Sequence, residues 1–237
     1  MSAACTRFYR EVSVEAADGQ NGYRVLLDGK PVKTPLGALL LLPTRALAEA
    51  LAEEWRRQGA TLRPETMVLT KLANTAIDRV AHDRKVMIAQ ILGFARSDLV
   101  CYRAEFPAEL VARQSASWDP LLTWAVSVYG ANLRRGNGIA FVAQTDEALS
   151  SLERALSKHS HFALAALHTE AHVSGSAIVA LALAAGRLDP ESAFAVSHLD
   201  EIYQAERWGS DAEAEVRRQT VKKELFEIHR YFSLLQV

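Results

Sequence analysis

The sequence predicts an α+β protein, a small β-rich N-terminal domain followed by a larger all-helical bundle. Two observations predict it. Between Val12 and Leu27 apolar residues alternate with polar ones, the period of a half-buried strand. From about Leu72 almost to the end they recur instead every three or four positions, the period of a helix packed on one face. The change of period sets domains at residues 1–74 and 75–237, the second an orthogonal bundle, with no internal repeat, low-complexity tract or flexible linker between them.

Taken in order, Val12 and Val14 mark a first strand and Tyr23, Val25 and Leu27 a second. Asp28-Gly29 supplies a two-residue turn, because glycine accepts positive φ without a Cβ clash. Lys30–Thr34 is the returning strand, held to an edge by Pro31 and Pro35, which lack a ladder donor. Leu39–Leu42 reads as a short buried strand. Thr44 then caps a helix carrying Leu47, Leu51 and Trp55, closed by Gly59. Arg63-Pro64 breaks the chain, and Met67–Leu69 is expected to return to the sheet.

The helical region opens with stripes at Leu72, Ala76, Ile77, Val80 and at Val86, Ile91, Leu92, Ala95. Asp119-Pro120 reads as an N-cap followed by a first-turn proline, with Gly130 ending that helix. Ile139–Val142 is a short strand or extended connector. Ser174 opens an Ala/Leu-rich helix that stops at Gly186, and such small residues suit close packing inside a bundle. Asp189-Pro190 starts the next helix, and Asp211 the last, which runs to about Leu235.

Composition narrows the function. The chain has 237 residues, is 49% hydrophobic and carries a net charge of −1, which permits a sizeable core and offers no field for nucleic acid. Cys5 and Cys101 form no Cys-x-x-Cys pair and are expected as reduced thiols. The longest uncharged apolar run includes Ile178–Ala185, well short of the ~20 residues of a membrane crossing. The N-terminus lacks the features of a secretory or import leader, so the chain is expected to be soluble and intracellular.

Catalytic signals are weak. His168-Thr-Glu-Ala-His172 resembles a zincin helix only superficially, because its glutamate stands at the third position; it is weighed as a metal site against ordinary surface histidines. Arg135-Gly-Asn-Gly-Ile139 lacks the third glycine of a dinucleotide loop, and Ser174-Gly-Ser176 is no nucleophile elbow. Cys101 reads as a small buried apolar group. Asp78 with Arg79 is weighed as a bridge between domains against a solvated helix face. No catalytic residue, metal or cofactor is assigned.

The most informative stretch is Leu199–Asp211. On one helix Asp200, Gln204, Arg207/Trp208 and Asp211 share a face that suits gripping another protein better than filling a core. Asp200 and Glu201 point about 100° apart, too far to act as an acid pair on one atom. Trp208, before a glycine at a helix end, is weighed as a half-exposed anchor against a staple between helices.

Further segments are Arg7-Phe-Tyr-Arg10, Leu27–Pro35, Ala48–Trp55, Met67–Val80, Ser97–Arg103, Trp118-Asp-Pro120, Asp200–Gln204 and Trp208–Glu213. In this order they resemble the ATP12-type assembly chaperones of the F-type ATP synthase, over essentially the whole chain. The resemblance implies a non-enzymatic chaperone that binds the unassembled alpha subunit until beta replaces it. It also implies a bacterial, cytoplasmic member of a family whose eukaryotic relatives are mitochondrial. The family's sensitive acid carries over to Glu201. Helical spacing extends the partner-binding surface to Asp200, Gln204, Trp208 and Asp211. The chain is expected to be a monomer without membrane insertion. Two alternatives stay open: a metal-dependent hydrolase using His168, Glu170 and His172, and a general holdase.

Overall fold

The computed structural model describes residues 6–17, 19, 21–209 and 211–236. Cys5, the extreme N-terminus and Ser210 lie outside the described residues. The chain forms two compact units, the first comprising residues 1–84, 161–166 and 230–237, and the second residues 85–160 and 167–229.

In the first unit, β1 (Val12–Ala16) pairs antiparallel with β2 (Tyr23–Leu27), from Val12 opposite Leu27 to Ala16 opposite Tyr23. Asp28 and Gly29 both take positive φ, 48° and 75°, as a tight hairpin turn requires. The returning strand is shorter than expected: β3 is Lys30–Pro31, and β4 (Leu41–Leu42) occupies the other end of the same β2 edge. Between them Thr34 to Ala38 folds into a tight loop.

Thr44 caps α1 (Arg45–Arg56), accepting from Leu47 N at 3.1 Å and donating to Leu234 O at 2.6 Å. The helix ends before Gly59, with Arg57 as its cap. Met67–Leu69 does not return to the sheet: Val68–Thr75 is helix α2. The cause is long-range. The Glu54 carboxylate on α1 accepts from Leu69 N and Thr70 N, each at 2.8 Å, and supplies the N-terminal cap that the local sequence lacks. Beyond α2, Ala76–Val80 widens into one π-turn, closed by Ala81 N to Ala76 O at 2.9 Å.

Among the described residues, the regular structure of the second unit is helical apart from one short parallel pair, β5 (Tyr102–Arg103) with β6 (Gly136–Asn137). Its helices are α3 (Arg84–Arg96), α4 (Ala108–Tyr129), α5 (Asp146–Leu156), α6 (His161–Ser174), α7 (Ala177–Ala184), α8 (Pro190–Ser197), α9 (Leu199–Trp208) and α10 (Ala212–Leu235). Helices α6 and α10 also contribute residues to the first unit, as does Arg84.

Asp98 organises the centre of this unit. Fully buried, it accepts from Val100 N at 3.2 Å and from Ile178 N at 3.1 Å, capping the short turn Leu99–Cys101 and the start of α7. Burial pushes its carboxyl up to about 6 against those bonds. Ser176, rather than Ser174, is the cap residue of α7, whose first seven residues are all buried.

Asp119-Pro120 does not start a helix; α4 runs through it to Gly130, at φ 71°. An interior proline costs ~3 kcal/mol. Burial of Trp118, Leu121 and Leu122 around it offsets this at about 1.5–3 kcal/mol per large side chain. Asp119 pairs with Arg103 at 2.6 Å and Arg135 at 3.1 Å instead of capping. Ile139–Val142 forms no strand, and Val86, placed in the α3 stripe by its spacing, is exposed. Cys101 is buried, its thiol pushed up to about 12 by that burial.

Candidate functional site

Helix α9 is held by its inner edge. Leu199 and Tyr203, one turn apart, are buried at 9% and 2% exposure, and the helix packs against α4 and α8. Two guanidinium groups, Arg113 and Arg207, each lie 5.2 Å from the centroid of the Tyr203 ring. Arg113 bridges Glu206 at 2.6 Å and Glu109 at 3.0 Å, and Arg207 also pairs with Glu109. These exposed pairs orient the helix more than they stabilise it, at ~0–1 kcal/mol each; burial of Tyr203 stabilises it more. Just before the helix, His198 stacks on Phe194 at 4.6 Å and lies 2.9 Å from Ser197 Oγ through Nδ1. Burial, the largest influence, holds the His198 imidazole below its usual range.

The expected five-residue face divides. Asp200 points inward: its Oδ1 accepts from Nε2 of buried Gln114 at 2.8 Å, and Gln114 Oε1 accepts from Ala104 N at 2.7 Å. It braces α9 on α4. Asp211 is not on this helix, because Gly209, at φ 80°, ends α9 after Trp208. Asp211 instead begins α10, accepting from Ala214 N at 2.7 Å.

Glu201, Gln204 and Trp208, spaced i, i+3, i+7, remain together on the outward stripe. Glu201 keeps 45% side-chain exposure while its Oε1 lies 3.3 Å from Arg217 Nη2 of α10. Gln204 is exposed, and Trp208 is 76% exposed. A tryptophan left that open is no staple between helices. The apolar pair Leu199/Tyr203 was the local sequence signal for the inner edge. Gln114, far away in sequence, carried none.

The other candidates fall elsewhere. His168 and His172 set their rings edge-on to Phe94 at 6.3 and 6.2 Å. Glu170 between them is completely buried, and neither carboxylate oxygen has a hydrogen-bond partner among the described residues. Burial, with Glu224 adding to it, pushes its carboxyl up to about 8, so it is a neutral acid at pH 7. Among the described residues no three His, Cys, Asp or Glu side chains gather as metal ligands would. Asp78 binds within its own unit, accepting from Thr34 Oγ1 at 2.5 Å and from Leu36 N at 3.1 Å. No helix among the described residues is long and apolar enough to cross a membrane.

The α+β fold thus fixes α9 by its inner face and leaves an acid, an amide and a tryptophan on its outer face. The chain belongs to the ATP12 chaperone family, whose sequence model matches residues 6–126. The protein atp12, mitochondrial, of Schizosaccharomyces pombe is 27% identical over 232 residues, 92% of this chain and 79% of that one. The crystal structure of Atp12 from Paracoccus denitrificans is similar with a TM-score of 0.89 at 38% identity, over 98% of this chain and 99% of that one. The crystal structure of the Atu1473 protein of Agrobacterium tumefaciens gives 0.91 at 42% identity, over 98% and 86%.

Proposed function

We propose that this ATP12-family chaperone serves assembly of the F-type ATP synthase by holding the unassembled alpha subunit until beta replaces it. It does so without catalysis, as a monomer in the bacterial cytoplasm. The observation that carries the reading is the α9 stripe of Glu201, Gln204 and Trp208, open to solvent on a helix whose inner face is locked. An orphaned alpha subunit presents apolar surface meant for beta, and such surface aggregates. Trp208 offers an aromatic anchor of the kind enriched at binding hot spots, and Glu201 a charge about two turns away on the same stripe.

Co-expression of tagged chain with the alpha subunit, followed by quantitative pull-down, tests this. Trp208→Ala should reduce retained alpha about tenfold or more, and Glu201→Lys should reduce it too, since the lysine would meet Arg217 and reverse the sign of the stripe. Neither position is buried, so melting temperatures should stay close to the parent. Undiminished capture by both variants would reject the stripe as the client site. Failure of the intact chain to hold alpha would reject the function.

A further inference from the structure

We infer that the first unit carries a second docking site, a groove that takes an extended apolar segment of the client bearing a carboxylate side chain. This rests on reading the chain as an alpha-subunit chaperone. The groove has a volume of about 560 Å³ and runs between the Pro35–Leu36 loop and helix α2 with its π-turn. Pro35, Leu36, Pro64 and Met67 give it apolar walls. Lys71 and Arg79, both exposed and neither ion-paired among the described residues, stand in its lining. Among the described residues of the lining Asp78 is the one acid; it accepts from Thr34 Oγ1 and Leu36 N and makes no ion pair with either cation. Apolar walls beside two cations and one hydrogen-bonded carboxylate leave a net positive lining that complements an apolar segment with an acidic side chain.

The rim is held ready for such a guest. Leu36 is 76% exposed, yet the loop beneath it is fixed. Thr34 N donates to Ala38 O at 2.8 Å, Gly37 N to Thr34 O at 2.9 Å, and Ala38 N to Thr34 Oγ1 at 3.1 Å. Gly37 at φ 88° permits that turn. Asp78 then ties the loop to the π-turn, so an exposed leucine is presented with little ordering left to lose on binding.

The test uses the full chain and two short fluorescein-labelled peptides, one alternating leucine with glutamate and one leucine with lysine. Fluorescence anisotropy should give about tenfold tighter binding of the glutamate peptide, a preference inverted by Lys71→Glu combined with Arg79→Glu. Leu36→Asp should remove binding of either peptide. All three changes are at exposed positions, and an unchanged melting temperature confirms that they leave the fold intact. The same variants should lose most of their alpha capture. Equal affinity for the two peptides, or full alpha capture by the charge-reversed variant, would overturn the proposal. If the intact chain shows the peptide preference but retains no alpha, the groove stands as an acidic-peptide site and the proposed client falls.

Discussion

Replacing Glu170 by glutamine should flatten the dependence of folding stability on pH. The folded chain keeps this carboxyl protonated, with its value moved from an ordinary 4.5 to about 8 by burial and by Glu224. The unfolded chain releases that proton in the ordinary carboxyl range. Between the two values the folded state therefore holds one proton more, and each rise of one pH unit lowers stability by about 1.4 kcal/mol. The Glu170 contribution is complete below pH 4.5, is lost progressively as pH rises, and is exhausted above about 8. By pH 7 the loss has a ceiling of about 3 kcal/mol, a large share of the ~5–15 kcal/mol that holds a domain together. Glutamine keeps the shape and is neutral throughout. Urea unfolding of both proteins from pH 5 to pH 9 reads the difference. His161 and His198, both lowered chiefly by burial, titrate in both proteins and cancel in the comparison. The variant should gain on the parent steadily up to about pH 8 and hold a constant lead beyond. Parallel curves would refute the picture of a buried, proton-bearing acid.

Two further predictions concern the scaffold. Asp98→Ala removes a shared cap and leaves Val100 N and Ile178 N without their acceptor; a loss of about 2–4 kcal/mol, read from the urea midpoint, is expected. Gln114→Ala unties Asp200 from Ala104 N and should cost about 1–3 kcal/mol, whereas Asp200→Asn, which keeps the Oδ1 acceptor, should preserve both stability and alpha capture. Loss of capture by Asp200→Asn at parental stability would make Asp200 a client contact instead of a brace.

Signals that live on one element were legible. Thr44, Asp189 and Asp211 cap the helices that their positions announced, and Asp28-Gly29 turns the hairpin. Signals supplied from elsewhere were not. Met67–Leu69 looks like a strand until Glu54 on α1 accepts from Leu69 N and Thr70 N and caps the helix there. Pro120 looks like a helix start until the burial of Trp118, Leu121 and Leu122 carries α4 past it. The site shows the same division. The resemblance pointed to Glu201 and spacing to Gln204 and Trp208, which share the outer stripe, but Gly209 cut the helix before Asp211, and the partner that turns Asp200 inward is distant in the chain.

As the proposed client site, the α9 stripe would also limit how tightly this chaperone holds. One exposed tryptophan contributes on the order of 2–4 kcal/mol to an interface, and one half-exposed carboxylate about 1 kcal/mol or less. Against the cost of association, such a helix alone gives weak capture. Retention then needs a second contact on the same client. The cationic groove of the first unit would supply one, because a tethered second contact acts at high effective concentration and multiplies two weak affinities. Two weak contacts also release differently from one strong contact: an incoming subunit that covers either site leaves only the weak remainder, which dissociates quickly. Weakening either site should therefore raise the rate at which alpha leaves far more than it slows capture.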